Sequence, residues 1–243
     1  MRRQPQREPL LLLPAMLTDA RLWDSQRDAL ACMGRVEALH LVGERSIAAM
    51  AARVLDVAPP SFAVGGLSLG GMVAMEVALR APERVTRLAL VGTSARAPTD
   101  QQRAFWIGLA ESARRDGVRA TSRDHLLESL RTPGRHDDAA ITAEILSLAE
   151  RVGVEGFRDQ LSMQATRVDM RERLHAIACP TLVVRGALDA LSSDEMHEEI
   201  CQAVPGARYV RVPECGHLAT LEQGPAITAL LDYWWGPLHT NRP

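Results

Sequence analysis

The sequence predicts an α/β protein: a mostly parallel sheet with helices on both faces, interrupted once by a stretch that is helical only. Three observations carry that expectation. Short apolar runs alternate with longer segments of helical periodicity, the pattern of successive βαβ units. The runs are nearly continuous rather than alternating, as strands covered by helices on both sides must be. One middle segment shows helical stripes and no strand-like run. With 243 residues, the chain has room for one large α/β domain with a substantial core, or for two small ones.

The first strand is expected at 9–13, a run of leucines after Pro9. Arg2, Arg3 and Arg7 ahead of the apolar residues 10–17 have the layout of a secretion signal. Pro14 breaks that run, however, and no small-x-small cleavage site follows, so a buried strand is the better reading. A helix at 24–33, a strand at 36–41, a helix at 46–57, a strand at 62–66, a helix at 69–80 and a strand at 88–91 complete the first alternating part.

From about Ala95 to Arg173 the chain becomes rich in Arg, Asp and Glu. Phe105, Trp106, Leu109 and Ala113 share one helical face, and Ile141, Ile145, Leu148 and Val152 share another. Residues 95–173 are expected to form a helical lid inserted into a core made of 1–94 and 174–243. The alternation resumes with a strand at 181–185, a helix at 193–204, a strand at 208–212 and a closing helix at 221–235. The polar tail from 236 is expected to fray.

Composition narrows the chemistry. All 28 basic residues are arginine, with no lysine anywhere. That excludes an internal Schiff base, a Ser–Lys dyad and a P-loop lysine, and arginine is too basic to act as a general base at neutral pH. A net charge of −2 with interspersed signs argues against a nucleic-acid partner. No apolar run is long enough to span a bilayer. Cys32, Cys179, Cys201 and Cys215 form no C-x-x-C pair and read as reduced thiols of a cytoplasmic protein. No H-E-x-x-H, dinucleotide fingerprint or paired Cys/His spacing is present, so neither a metal nor an organic cofactor is expected.

The most specific signal is the run Phe62-Ala63-Val64-Gly65-Gly66-Leu67-Ser68-Leu69-Gly70-Gly71 leading into Met72. It reads strand, G-x-S-x-G, helix, which places Ser68 on a sharp turn with its hydroxyl exposed. Gly66 and Gly70 leave room for that turn, Ala74 lets the helix approach the sheet, and the helix N-terminus favours developing negative charge. A glycine-rich turn without chemistry is the bland alternative, and the strand and helix around the motif weigh against it.

A serine nucleophile needs a base and an orienting acid. Among seven histidines, His217 follows a strand in a loop that Gly216 permits. His40, His125, His136, His175, His197 and His239 read as solvated surface. Asp189 lies just past the carboxyl end of the strand at 181–185, where ligands and catalysts gather in open α/β sheets. Asp194 reads as a helix cap.

With those residues in place, the chain resembles the α/β-hydrolase superfamily over nearly its whole length, and compact bacterial esterases, including pimeloyl-ester and enol-lactone hydrolases, in size and lid position. The resemblance implies Ser68 as nucleophile, Asp189 as acid and His217 as base; Glu222-Gln223-Gly224-Pro225 continues it into the final helix. Two features depart from the family. Only residues 1–8 precede the first strand, which implies a sheet of about six parallel strands without the family's opening hairpin. Pro14-Ala15 stands where the family has His-Gly. By position, the backbone N–H groups of Met16 and Leu69 would form the oxyanion hole.

The implied activity is hydrolysis of a small or medium carboxylic ester through an acyl-enzyme, without cofactor. Other serine-triad reactions (C–C hydrolase, lactonase, thioesterase, hydroxynitrile lyase-like, perhydrolase) and a slow-turnover binding protein are the alternatives. Ser68 in the elbow argues against the aspartate-nucleophile dehalogenases and epoxide hydrolases of the fold. Aromatics are 4% of residues, and Trp23, Phe105, Trp106, Phe157 and Met163, with Met72, are the candidate pocket residues. Arg119 and Arg123 are candidates to pair with a substrate carboxylate, against the plainer reading of solvated surface.

Overall fold

The computed structural model describes residues 7–132 and 138–236. The expectations for Arg2, Arg3, His136, His239 and the tail beyond Gly236 fall outside the described residues. The sheet has six strands, all parallel, in the order β2-β1-β3-β4-β5-β6. They are β1 (Arg7–Leu13), β2 (Gly34–Ala38), β3 (Phe62–Leu67), β4 (Val85–Val91), β5 (Thr181–Gly186) and β6 (Arg208–Val212).

The helices are α1 (Asp24–Leu30), α2 (Ile47–Val57), α3 (Leu69–Arg80), α4 (Asp100–Asp116), α5 (Val118–His125), α6 (Leu127–Leu130), α7 (Ala139–Thr166), α8 (Asp194–Ala203), α9 (Ala219–Glu222) and α10 (Gly224–Trp235).

The leucine run of β1 shows why the strands are apolar on both faces. Leu10 and Leu12 join one core layer with residues of α1 and α10, while Leu11 and Leu13 join the other with residues of α2, α3 and α8. The period-two alternation of a strand therefore sends neighbouring leucines into different cores.

Element boundaries shifted where core residues extend past a strand or where a helix cannot continue. The strand expected at 36–41 is Gly34–Ala38; Leu39 still donates its N–H to Leu12 O at 3.0 Å, but Leu41 is buried in the second core layer. The closing helix is two helices. Gln223 leaves helical geometry at φ −132°, ψ 46°, and Pro225 follows at the start of α10. α7 is broken at Gly153, whose φ of 68° is open to glycine without strain.

The helical segment α4–α7 is packed onto the sheet. Trp106, Leu109, Ile145, Leu148, Phe157 and Leu161 share the core layer that holds Leu10 and Leu12. Polar contacts fasten it to the loops after β1 and β2. Arg151 pairs with Asp19 at 2.7 Å, Asp159 accepts from Gly43 N–H at 2.9 Å, and Ser162 Oγ donates to Arg45 O at 3.0 Å.

Because β2 and β3 lie on opposite sides of β1, the winding direction reverses there. The carboxyl ends of β1 and β3 border the crevice at that switch point, where open α/β sheets place ligands.

Candidate active site

β3 runs directly into Ser68, whose backbone sits at φ 55°, ψ −112°, a region that residues with a side chain rarely adopt. Neighbouring groups hold it there. Ser68 N–H donates to Val91 O at 2.8 Å, and Thr93 Oγ1 donates to Ser68 O at 2.8 Å. Glycine is required on both sides of the turn. A Cβ on Gly66 would lie 2.2 Å from Gly70 backbone, and one on Gly70 would lie 2.2 Å from Leu13 O. That second approach also sets the start of α3 against the loop leaving β1.

Ser68 is half-buried and lines a cavity of about 310 Å³ that His217 also lines. Among the described residues Ser68 Oγ has no hydrogen-bond partner; it and His217 share the cavity wall without a bond closing between them.

His217 is buried, with Nδ1 at 3.0 and 2.9 Å from the two carboxylate oxygens of Asp189. Engaging Nδ1 in this way leaves Nε2 for the cavity. Asp189 also accepts from Leu191 N–H at 2.8 Å, Ser192 N–H at 3.1 Å and Ser192 Oγ. Burial pushes its carboxyl up, but the opposing charge of His217 and the hydrogen bonds from His217, Ser192 and Leu191 outweigh it, and the group is held at about 2.

The acid's loop is fixed in turn by Arg185, a β5 side chain. It donates to the carbonyls of Ser192 at 2.7 Å, Asp189 at 3.0 Å and Ala187 at 3.2 Å. Glu222 holds the histidine loop, accepting from Gly216 N–H at 3.2 Å and from Thr132 N–H at 3.1 Å.

The loop after β1 completes the site. Leu17 takes φ 62°, and its N–H is taken by Gln160 Oε1 of α7 at 2.8 Å. Gln160 is fully buried, and its Nε2 donates to Leu41 O at 3.3 Å. Thr18 closes the loop onto Ala15 O through both its N–H at 3.3 Å and its Oγ1 at 2.9 Å. Met16 lines the cavity, and its N–H has no acceptor among the described residues. Leu69 is the first residue of α3, so its N–H has no intrahelical partner.

Of the sequence-predicted pocket residues, Phe105, Trp106 and Met72 line the cavity. Trp23, Phe157 and Met163 do not, and the expectation for them is corrected. Trp23 is fully buried and donates Nε1–H to Leu13 O at 3.1 Å. Phe157 packs in one core layer and Met163 in the other. Arg119 and Arg123 are exposed and pair with Glu150 at 2.9 Å and Asp124 at 2.6 Å.

His40, His125 and His175 are exposed, but His197 is buried, with Nδ1 against Ser193 O at 2.8 Å and its ring stacked on Tyr209. Asp194 is not the cap of α8. Ser193 takes that position, and Asp194 accepts from Tyr209 Oη at 2.6 Å. Sequence reasoning missed Gln160 and the cavity-lining Gln102, Gln164, Arg96 and Arg167.

A second cavity of about 380 Å³ lies at the opposite end of the sheet, where Thr181 and Arg208 begin β5 and β6. It holds neither the serine nor the Asp–His pair. Among the described residues no cluster of three or more His, Cys, Asp or Glu could hold a metal, and no helix is long and apolar enough to cross a membrane.

The sequence profile of the alpha/beta hydrolase fold family matches residues 44–223. A pimeloyl-[acyl-carrier protein] methyl ester esterase of Klebsiella pneumoniae is 33% identical over 202 residues, covering 75% of this chain and 76% of its own. A protein of Mycobacterium tuberculosis provisionally named a non-heme bromoperoxidase is 30% identical over 187 residues, covering 74% and 70%. Among solved structures, a thermophilic esterase from Thermogutta terrifontis, with malate bound, superposes with a TM-score of 0.86 at 27% identity, covering 95% of this chain and 90% of its own.

Proposed function

The chain belongs to the alpha/beta hydrolase fold family, and we propose that within it this protein is a serine esterase that cleaves a small or medium carboxylic ester. One observation carries the reading: a serine on a strained strand–helix turn shares a cavity with a histidine whose Nδ1 is held by a buried carboxylate. The relatives named as esterases support it.

In the proposed mechanism Ser68 Oγ attacks the ester carbonyl carbon as His217 Nε2 takes the hydroxyl proton. Asp189 keeps the ring oriented and stabilises the imidazolium without itself taking the proton. The N–H groups of Met16 and Leu69 hold the oxyanion, each contributing about 3 kcal/mol of transition-state stabilisation. The tetrahedral intermediate collapses, and the alcohol leaves with the proton from His217. Water then attacks the acyl-enzyme, giving its proton to His217; the acid departs and Ser68 recovers its hydrogen. Residues 95–173 roof the cavity in this reading.

The test is hydrolysis of p-nitrophenyl butyrate by wild type and by Ser68→Ala. Turnover in the wild type that falls at least 1,000-fold in a folded variant, roughly the scale of a lost triad member, supports the reading. Equal turnover in both removes Ser68 from the mechanism.

A further inference from the structure

Arg167 closes the carboxyl end of α7 and lines the same cavity as Ser68 and His217. It is only 8% exposed, yet among the described residues no carboxylate lies within 4.0 Å of it. Its neighbour Arg96, also on the cavity wall, has its charge answered by Glu199 at 2.7 Å and Glu195 at 3.0 Å. Burial together with the like charge of Arg103 lowers the Arg167 guanidinium to about 10, which still leaves it cationic at neutral pH.

Neutral groups fix the Arg167 side chain. Nε donates to Arg96 O at 2.9 Å, Nη1 to Gln164 Oε1 and more distantly to Gln164 O, and Nη2 to Gln102 Oε1 at 3.4 Å. The guanidinium lies over the Trp106 ring, 5.0 Å from its centroid. One Nη2 hydrogen is left over by these bonds. Helix carbonyls at the end of α7 soften the charge but supply no counter-ion. A buried arginine is ordinarily paired; this one is held oriented and without a carboxylate partner in the cavity that Ser68 also lines. The remaining Nη2 hydrogen and the unanswered positive charge together suit a carboxylate oxygen.

We propose that Arg167 receives a carboxylate of the substrate, so that the ester taken by this site carries a free acid on the same molecule. Monoesters of short dicarboxylic acids are the simplest members of the class, and a cavity of about 310 Å³ suits a compact ligand of this kind. The ester part of this inference rests on the proposed esterase activity; the anion site does not.

The test compares monomethyl glutarate with the neutral methyl hexanoate as substrates, and measures glutarate binding by calorimetry. It uses wild type, Arg167→Met, Arg167→Lys and the exposed-site control Arg119→Met. The expected wild-type preference for the anionic ester in kcat/KM is roughly 10- to 100-fold, the scale of one charge-assisted hydrogen bond. It should be carried mainly by KM, lost in Arg167→Met, partly restored in Arg167→Lys and kept in Arg119→Met.

A wild-type ratio near one with no glutarate binding overturns the proposal, and because it needs no variant, a misfolded Arg167→Met does not block it. A preference that survives in folded Arg167→Met also overturns it. If no ester is cleaved but glutarate binds in an Arg167-dependent manner, the esterase reading fails and the anion site stands.

Discussion

Replacing Gln160 by leucine keeps the side chain's approximate size and removes both of its hydrogen bonds. Leu17 N–H loses its acceptor at 2.8 Å and Leu41 O its donor at 3.3 Å, in a place where the glutamine is fully buried. A buried polar group left without a partner costs about 1–3 kcal/mol, so the pair predicts a loss of about 2–6 kcal/mol in stability.

A second effect falls on activity. Leu17 sits at φ 62°, a conformation that surrounding contacts must hold, and it adjoins Met16, the proposed oxyanion donor. Losing one such donor entirely costs roughly 100- to 1,000-fold in kcat; loosening it predicts a fall of about 10- to 100-fold, mainly in kcat. Urea unfolding followed by tryptophan fluorescence gives the first quantity, and initial rates on p-nitrophenyl butyrate give the second. A variant that loses stability but keeps wild-type kcat would show that Gln160 braces the fold without positioning the loop. Unchanged stability would refute the hydrogen-bond argument itself.

Asp189→Asn should lower kcat by roughly 10,000-fold, the scale of a triad that loses its orienting acid. The Asp189 carboxyl is held at about 2 against an ordinary 3.8, so folding favours its charged form. The resulting stability, about 2 kcal/mol, is present above pH 4 and lost as pH falls from 4 to 2. The melting-temperature gap between wild type and Asp189→Asn should shrink across that window, and a gap that widens there would contradict the assignment. Gly70→Ala should destabilise by at least about 2 kcal/mol or abolish folding, because its Cβ would meet Leu13 O at 2.2 Å. Gly108→Ala is the opposite case, exposed in α4 with nothing within 4 Å, and should stabilise by about 0.5–1 kcal/mol; denaturant midpoints measure both. Met16→Pro, which deletes one backbone donor, should lower kcat by roughly 100-fold or more, and unaltered activity would remove Met16 from the oxyanion hole.

Local chemistry made much of this legible in the sequence. The strand–G-x-S-x-G–helix run marks a turn that only glycine neighbours allow, and the steric contacts at Gly66 and Gly70 show the same constraint in three dimensions. Asp189 and His217 were findable because each follows a strand whose carboxyl end must face the crevice. Gln160 and Arg167 were not. A polar residue in a helix reads as solvated until its neighbours are known, and both owe their burial to contacts with segments far away in the chain. Trp23, Phe157 and Met163 failed for the converse reason: periodicity identifies an apolar helical face but not whether sheet or cavity lies beneath it. Arg119 and Arg123 resemble Arg167 in sequence and differ from it only in what the fold sets beside them.

The proposed mechanism depends first on Ser68 being the nucleophile. Incubation with a serine-directed fluorophosphonate, followed by intact mass and peptide mapping, reads this without assuming a substrate. One phosphonyl group per chain, located on Ser68 and absent from a folded Ser68→Ala variant, is expected. A label on another residue, or equal labelling of Ser68→Ala, would contradict it.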